Sequence, residues 1–313
     1  MSGPLPREHL RERGRVREGA RLMADRSLAQ QIRDLLKQNR PLVMGGVYDG
    51  LSTRLAHRAG FEVLFVGGFS VAATLLGEPD FGYLTQTEIA DTARRICRLT
   101  DRPVLVDADT GYGNALNVIR TVELFQNAGA AGMFLEDQVW PKRCGHMRGK
   151  RVVERDEWLG KLRAVLETRG ERDLFLVART DARAAIGLDE AIARGQAARD
   201  VGVDAVFIEA PESLAELEQI ARAILGPKVA NMVEHGKTPL LAPDELHQLG
   251  FDLIVTPLAG LLSSAKALQD TYALLRRDGT MRQHLGRLMP FDDFNQLVEL
   301  DRHYALEQRF RDK

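Results

Sequence analysis

The stretch from residue 136 to residue 146 holds the side chains best suited to chemistry. It begins with the acids Glu136 and Asp137 and runs into a loop that places Cys144 among basic residues, with Gly145 beside it. Nearby positive charge favours a thiolate over a thiol, so we expect the pKa of Cys144 to be lowered. Glycine permits backbone motion that a rigid element does not. A reactive thiol on a mobile loop beside carboxylates indicates an enzyme rather than a scaffold.

The composition is that of an ordinary globular protein. The chain has 313 residues, of which 44% are hydrophobic and 28% charged, and a formal net charge of −1. A near-neutral chain has no basic field that would attract nucleic acid or a membrane surface, so we predict neither as a partner. The two cysteines cannot form a disulfide framework, which indicates a reducing, cytoplasmic location. No apolar run approaches the roughly 20 residues that span a bilayer.

A repeated strand-then-helix pattern runs along the chain. Short apolar runs predict strands at residues 42–47, 63–68, 104–109, 132–137, 174–181, 205–210, 228–233 and 253–258. Helical periodicity is clearest at residues 49–60, 87–99, 116–129, 188–201 and 259–276. Eight such units predict the α/β class and a parallel sheet closed as a (β/α)8 TIM barrel. The open doubly wound sheet is less favoured, because no G-x-G-x-x-G opens the first helix.

The two ends of the chain fall outside this pattern. Residues 1–26 are rich in arginine but also carry acids and no apolar core, which argues against a secretory signal, so we interpret them as an N-terminal extension. Residues 27–280 form the predicted barrel domain. Residues 281–313 form a C-terminal helical extension, with its helix at 291–309, that either caps the barrel or crosses to a neighbouring subunit.

Acidic residues follow two successive predicted strands. Active sites of such barrels lie at the carboxyl ends of the strands. Asp107 and Asp109 alternate by two, which in a strand points both side chains to the same side, and Glu136 ends the next strand. An oxygen-rich cluster suits Mg2+, with Mn2+ as a possible substitute. A single acid at a strand end is more typical of a helix cap, but three acids on two strand ends favour a metal site.

Arg179 ends the apolar run of residues 174–178, so its side chain must be paired or face the rim. Its planar guanidinium suits a substrate carboxylate. An internal ion pair with Glu209 or Glu136 is an equally good interpretation. By contrast, Cys97 lies in a predicted helix and is typical of a small buried residue. The seven histidines show no spacing that indicates zinc.

Several motifs together resemble those of the isocitrate lyase/phosphoenolpyruvate mutase superfamily. The resemblance is strongest to the branch that holds 2-methylisocitrate lyase, 2,3-dimethylmalate lyase, the petal death protein and carboxyphosphonoenolpyruvate mutase. It extends in unbroken order from about residue 30 to about residue 310, which makes it far more specific than any single motif. The segments that carry it are residues 107–114, 136–138, 142–146, 177–182, 231–234 and 237–239.

The resemblance implies a Mg2+-dependent barrel that assembles as a homotetramer and exchanges its last barrel helix between subunits. The metal is expected at Asp107, Asp109 and Glu136. The expected catalytic residues are Cys144 on a gating loop, Arg179, Glu209 and His146. The residues expected to bind a small carboxylate substrate are Phe65, Gly67, Gly68, Phe69, Lys142, Arg143, Gly145, Asn231 and Thr256.

The implied reaction is cleavage of a carbon–carbon bond in a 2-hydroxy dicarboxylate, giving pyruvate or another 2-oxo acid and a carboxylate, with Cys144 as proton donor. Methylisocitrate lyases tend to have Ser-Gly-Gly where this chain has Gly67-Gly68-Phe69, and an arginine shortly after the residues matching Pro257-Leu258, where this chain has none. One cation fewer leaves a tricarboxylate poorly compensated, so a 2-alkylmalate is favoured over 2-methylisocitrate. Phosphorus–carbon bond chemistry, as in carboxyphosphonoenolpyruvate mutase, and oxaloacetate hydrolysis or decarboxylation remain the alternatives.

Overall fold

A computed structural model of the protein describes residues 27–145, 147 and 149–311, so the predicted extension at residues 1–26 and the candidate residue His146 lie outside the described residues. The structure has eight parallel strands, β1 Leu42–Val47, β2 Val63–Val66, β3 Val104–Asp107, β4 Gly132–Glu136, β5 Phe175–Thr180, β6 Ala205–Ile208, β7 Val229–Asn231 and β8 Leu253–Thr256. They pair in the order β6-β5-β4-β3-β2-β1-β8-β7. A bridge between Val206 and Lys228 joins β6 to β7 and closes the ring. The predicted TIM barrel is confirmed.

Helices surround the barrel and extend beyond it. In chain order they are α1 Leu28–Leu36, α2 Gly50–Arg58, α3 Gly68–Val71, which continues as a π-helical turn, α4 Gln86–Cys97, α5 Ala115–Ala128, α6 Arg155–Thr168, α7 Ala182–Ala185, α8 Leu188–Val201, α9 Leu214–Ala223, α10 Pro243–Leu249, α11 Ala259–Asp278, α12 Phe291–Leu297 and α13 Leu300–Arg311. The five helices predicted from periodicity all form, with ends displaced by at most two residues.

Most predicted strands run one or two residues too far at their carboxyl ends. Asp109 and Ala210 follow β3 and β6 with φ values of 47° and 55°, in the left-handed region, so the backbone leaves the sheet before these residues. The predicted alternation of Asp107 and Asp109 along one strand is therefore wrong. Asp109 and Ala210 belong to loops, so the directions of their side chains depend on the loop conformation rather than on the pleat of a strand.

An aromatic layer fills the barrel just below its carboxyl rim. The buried side chains of Phe65, Phe134, Phe207 and Val255 come from β2, β4, β6 and β8, the alternate strands that share one layer in such barrels. The ring of Phe134 lies 4.9 Å from that of Phe65 and 6.0 Å from that of Phe207, in edge-to-face packing. Burying one such ring stabilises the fold by roughly 2–3 kcal/mol. The layer forms a rigid floor for anything bound above it.

Helix α1 closes the opposite, amino-terminal end of the barrel. Ala29 and Ile32 pack against the barrel interior and are fully or almost fully buried. Ser27 caps the helix by accepting a hydrogen bond from the Gln30 N–H at 3.0 Å. A plug at this end leaves the carboxyl rim as the open side of the barrel.

Helix α11 follows the last strand but has no buried residue along its 20 positions. Leu262, Leu268, Tyr272 and Leu275 are all exposed. A groove lies beside the start of α11, between β1 and α2, with Leu51, Leu55 and Phe61 among its lining residues. An exposed apolar helix beside an open apolar groove accords with the prediction that this helix is exchanged between subunits, which stays a prediction.

The C-terminal extension was predicted as one helix and forms two, α12 and α13. The chain breaks between them, where Glu299 has a φ of 60°. Arg54 of α2 donates to the Leu297 carbonyl at 3.3 Å and pairs with Glu299 at 3.2 Å, so the break is anchored to the barrel. No helix among the described residues is long and apolar enough to cross a membrane. The predicted cytoplasmic location stays a prediction.

Candidate active site at the carboxyl rim

A cavity opens above the aromatic floor, and loops from most of the strands contribute to its walls. One side is polar and holds acids, an arginine and the Cys144 thiol, whereas the other side is apolar. The lining residues include Gly67, Gly68, Phe69, Asp80, Asp107, Cys144, Gly145, Arg179, Glu209 and Asn231 on the polar side, and Val233, Val255, Pro257 and Leu258 on the apolar side. Most of the residues predicted from the sequence therefore meet in one place.

Asp107 ends β3 and is oriented by two backbone groups. Its Oδ2 accepts a hydrogen bond from the Gly68 N–H at 3.3 Å, and its Oδ1 accepts one from the Asp109 N–H at 3.1 Å. Asp109 nonetheless lies close to Asp107, because a Cβ atom on Gly68 would lie 3.3 Å from Asp109 Oδ1 and 3.5 Å from Asp107 Oδ2. The loop after β3 therefore brings the two carboxylates together, which the predicted alternation along a strand was expected to do. A side chain at position 68 would crowd Asp109 Oδ1 and Lys142 Nζ, each 3.3 Å from the Cβ position.

Glu136 ends β4 and is fully buried. Neither of its carboxylate oxygens accepts a hydrogen bond from a described residue, and its Oε2 lies 3.3 Å from Arg179 Nη2. Burial raises the pKa of Glu136 well above its usual range. Burial, opposed by Lys142 but supported by Asp107 and Asp80, likewise raises the pKa of Asp109 to about 7. Both rim acids therefore hold a proton more tightly than an ordinary carboxyl group does.

These acids fit a hard divalent cation, although no preformed cage is present. In the described part of the chain, no group of three His, Cys, Asp or Glu side chains has the geometry of a metal site. Mg2+ usually keeps several waters and takes only one or two carboxylates from the protein. Asp107 and Glu136 offer oxygen donors, and neither oxygen of Glu136 is hydrogen-bonded within the described part of the chain. Such a donor set suits Mg2+ or Mn2+ better than a soft metal.

Arg179, on β5, forms the internal ion pairs that the sequence left as one of two interpretations. Its guanidinium contacts Asp181 at 3.0 Å, Glu136 at 3.3 Å and Glu209 at 3.5 Å. Burial alone would lower the pKa of Arg179, but Asp181, Glu136 and Glu209 raise it well above its usual range. The same side chain lines the cavity, so pairing does not remove it from the site.

Glu209 and Asn231 face Arg179 from β6 and β7. Asn231 Nδ2 donates to the Glu209 carboxylate at 3.4 Å, whereas Asn231 Oδ1 is buried and accepts no hydrogen bond from a described residue. Gly145 packs on Glu209 so closely that a Cβ atom there would lie 2.4 Å from Glu209 Cδ. A glycine is therefore required at position 145 if the loop is to rest on Glu209.

The Cys144 loop covers the cavity in this structure. Cys144 and Gly145 both line the cavity. The Lys150 ammonium donates to the Gly145 carbonyl and pairs with Asp181 at 2.7 Å. The Gln138 side chain brackets the Arg143 backbone, because it donates to the carbonyl at 2.8 Å and accepts from the N–H at 3.0 Å. The loop thus rests on groups from several strands.

Sequence reasoning missed three residues of this site: Asp80, Lys150 and Asp181. The available signal was their position, because Asp80 and Lys150 lie in loops that follow predicted strands, Asp181 ends a predicted strand, and all three charged side chains are buried in the structure. Conversely, three predicted substrate residues do not line this cavity. One is Lys142, whose ammonium pairs with Asp80 and Asp109. Thr256 donates to the Met44 carbonyl and lines the outer groove beside α11. The Arg143 guanidinium lies over the Phe81 ring, 5.4 Å from its centre, in a separate pocket behind the loop.

Comparison with known proteins identifies the family of the chain. Residues 32–276 match the model of the phosphoenolpyruvate phosphomutase family. The chain belongs to this family. It is 47% identical to the carboxyvinyl-carboxyphosphonate phosphorylmutase of Arabidopsis thaliana, over 88% of this chain and 83% of that protein. The resemblance derived from the motifs is confirmed.

Two solved structures of the superfamily share the fold. That of 2,3-dimethylmalate lyase matches with a TM-score of 0.85 and 35% identity, over 91% of this chain and 95% of the other. That of phosphonopyruvate hydrolase with oxalate and Mg2+ matches with a TM-score of 0.82 and 27% identity, over 91% and 99% of the two chains. The chain is therefore an enzyme of the superfamily that contains these lyases and mutases.

Proposed function

We propose that the protein is a Mg2+-dependent carbon–carbon lyase that cleaves a 2-hydroxy dicarboxylate of the 2-alkylmalate type into a 2-oxo acid, such as pyruvate, and a carboxylate. The observation that carries this proposal is the placement of the Cys144 loop. Cys144 lines the same cavity as Asp107, Arg179 and Glu209, so a proton donor and a charged binding surface contact the same small molecule. The solved dimethylmalate lyase supports the reaction class.

The polar wall would bind and orient the substrate. Arg179 offers its guanidinium to a carboxylate, and Asn231 Oδ1, which accepts no hydrogen bond from any described residue, suits a hydroxyl group. Mg2+ held by Asp107 and Glu136, with Asp109 nearby, would supply a Lewis acid that makes the C2 hydroxyl of the substrate more acidic. The metal role rests on the buried oxygens of Glu136 and on the donor chemistry of the cluster.

The Cys144 loop would complete the reaction. When the C2 hydroxyl loses its proton, the C2–C3 bond breaks and its electron pair remains on C3, next to the second carboxylate. The Cys144 thiol gives its proton to C3, and the proton released from the hydroxyl restores the thiol through solvent. The closed loop excludes bulk water from C3, so that C3 takes its proton from the Cys144 thiol and not from solvent. His146, which follows Gly145, and Lys142 would stabilise negative charge on this loop.

The apolar side of the cavity favours an alkyl substituent over a third carboxylate. Val233, Val255 and Leu258 line this side, and Pro257-Leu258 supplies no cation. A carboxylate buried against these side chains without a partner would be costly. We therefore place 2-alkylmalates ahead of 2-methylisocitrate.

The decisive experiment measures release of the 2-oxo acid, which is pyruvate from 2-methyl-substituted malates, 2-methylisocitrate and decarboxylated oxaloacetate and glyoxylate from isocitrate, with Mg2+ and with EDTA. We expect Mg2+-dependent cleavage, with an alkylmalate preferred. Cys144→Ser should abolish cleavage without unfolding the protein, whereas the matched Cys97→Ser, which changes a half-buried thiol of α4, should leave it intact. A Cys144→Ser variant with full activity would exclude the proton-donor role.

Phosphorus–carbon bond chemistry is the second candidate, because the Arabidopsis relative at 47% identity carries a phosphorylmutase name. Phosphorus NMR of a carboxyphosphonoenolpyruvate turnover mixture tests it directly. A new phosphinate or phosphonate signal, together with no pyruvate release from any dicarboxylate, would favour this alternative. Release of oxalate or pyruvate from oxaloacetate alone would favour the hydrolase or decarboxylase.

We also propose that the enzyme is a homotetramer in which α11 packs on a neighbouring barrel. The exposed apolar side chains of α11 and the groove beside β1 support this assembly. Sedimentation should give about four times the monomer mass, and Leu268→Asp on the exposed helix should lower it. An unchanged mass for that variant would show that this face is not an interface.

A further inference from the structure

The side chain of Lys142 extends from the Cys144 loop, and its ammonium is buried between two carboxylates. Its Nζ lies 2.7 Å from Asp80 Oδ1 and 2.6 Å from Asp109 Oδ1, and only 2% of the side chain is exposed. Burial alone would lower the pKa of Lys142, but Asp109 and Asp80 raise it well above its usual range. The lysine is therefore a fixed positive charge at the point where the loop meets the acidic cluster.

Asp80 contacts the same loop a second time through its backbone. Its carbonyl accepts a hydrogen bond from the Cys144 N–H at 3.2 Å, two residues beyond Lys142. Asp80 is 5% exposed, lies between α3 and α4, and lines the cavity beside Cys144. One residue from a separate segment thus holds the thiol loop on both sides of Arg143.

We propose that Asp80 is a positioning residue that forms a latch with Lys142 and so keeps the Cys144 thiol against the cavity. The inference rests on the proposed role of Cys144 as proton donor, but it concerns the position of the loop and not the reaction. Through Asp109, the same lysine links that position to the acids that would hold the metal.

Both members of the latch are needed because each is buried. Lys142→Met leaves the buried Asp80 carboxylate without its cation, and Asp80→Asn removes one of the two carboxylates that hold the Lys142 ammonium. The charge that has lost its partner then favours an open, solvated arrangement. Asp80→Asn keeps the side-chain shape and the backbone carbonyl that accepts the hydrogen bond from the Cys144 N–H, so it tests the negative charge of Asp80 alone. Lys142→Met keeps the length of the apolar stem and removes the ammonium.

The experiment measures alkylation of the resting protein by iodoacetamide, with peptide mass spectrometry to follow Cys144 and Cys97 separately. We expect both variants to raise the Cys144 rate by about tenfold, within the range typical of coupling between two sites. The double variant should add little to either single change, because the two act on one contact. The Cys97 rate, which reports opening of the barrel wall at α4, should not change.

The signs of these effects separate the latch from a local change in charge. A change in charge alone would act in opposite directions in the two variants. Lys142→Met loses a cation near the thiol, which disfavours the reactive thiolate and slows alkylation, whereas Asp80→Asn loses an anion, which favours the thiolate and accelerates alkylation. A rise in both variants therefore reports movement of the loop. Lys228→Met is the matched control, since Lys228 is a buried lysine that binds the carbonyls of Ile224 and Gly226 at the other end of the barrel.

Opposite changes in the two variants, or unchanged Cys144 rates, would overturn the latch. A parallel rise at Cys97 would assign Asp80 to general stability and overturn it as well. Alkylation needs no substrate, so the latch can hold even where the lyase assay is silent. Equally, a Cys144→Ser variant that remains active would exclude the proton-donor role of Cys144 and leave the alkylation result standing.

Discussion

The acids at the amino-terminal end of the barrel are partly buried and paired with arginine, whereas two fully buried acids at the carboxyl rim, Asp109 and Glu136, are less completely compensated. At the amino-terminal end, Arg33 of α1 pairs with Asp173 at 2.6 Å and with Asp204 at 2.7 Å. Burial alone would raise the pKa of Asp173, but hydrogen bonds from Arg33 and Ser27 lower it to about 2. At the carboxyl rim, burial raises the pKa of Asp109 to about 7, and Glu136 accepts no hydrogen bond from a described residue.

The difference shows how one fold separates stability from function. An acid with a matched cation strengthens the folded state, as at the closed end. Acids held together without full compensation weaken the apo protein but retain the capacity to bind a cation, as at the rim. Barrels of this class place their chemistry at the carboxyl end and their stabilising contacts at the other. The following predictions test whether the two ends really behave independently.

Asp107→Asn should cause the largest effect at the rim. Loss of a proposed metal ligand should lower kcat/KM by more than about 100-fold, the upper range for partners outside the first coordination shell. The free energy of unfolding in EDTA should not fall, because the change removes one of several repelling carboxylates. Steady-state kinetics and urea denaturation measure the two effects. Asp173→Asn is the control with the opposite expectation, since it should lower stability and leave the activity of the folded enzyme unchanged.

Adding Mg2+ or Mn2+ should stabilise the protein through the rim alone. A ligand at 100 times its Kd adds about 2.7 kcal/mol to the free energy of unfolding. The melting temperature of the wild type should therefore rise by several degrees, as should that of Arg33→Met. The Asp107→Asn variant should show little or no rise. Equal shifts in all three proteins would place the bound ion elsewhere.

Arg33→Met should weaken the closed end. It leaves Asp173 without its main cation and removes one of the two arginines that pair with Asp204, the other being Arg169 at 2.8 Å. Because the side chain of Arg33 is 23% exposed, we expect a loss of about 2 kcal/mol, below the range for fully buried pairs. Urea denaturation provides the measurement. A similar loss of turnover per folded molecule would contradict the independence of the two ends.

The pH dependence of stability should have opposite signs at the two ends. The pKa of Asp173 is lowered, so its stabilisation is complete above about pH 4 and disappears as the pH falls toward 2. The pKa of Asp109 is raised, so the folded apo protein holds an extra proton between about pH 4 and 7 and loses stability as the pH rises through that window. Urea denaturation in EDTA at pH 5 and pH 8 should show a smaller decline for Asp109→Asn than for the wild type. An identical decline would mean that other groups set this slope.

Much of the fold could be predicted from the sequence because the hydrophobic pattern is local. The eight strand-helix units follow from apolar runs and helical periodicity, and β1 and α8 have the predicted ends. The rim was harder to predict, because Asp109 and Ala210 leave the sheet with positive φ values that depend on loop contacts. The break at Glu299 escaped prediction for the same reason, since its anchor, Arg54, lies 245 positions away in the chain.

The sequence by itself determined the barrel, the carboxyl end as the place for chemistry, and the residue types that meet there: acids, an arginine and a thiol. Only the tertiary structure decided how these charges are paired. Lys142 meets Asp80 across 62 positions, and Lys150 meets Asp181 across 31. Such pairs depend on which loops converge above the aromatic layer and on how completely they exclude water. Local sequence encodes the side chains, whereas burial and distance determine which acid each cation neutralises.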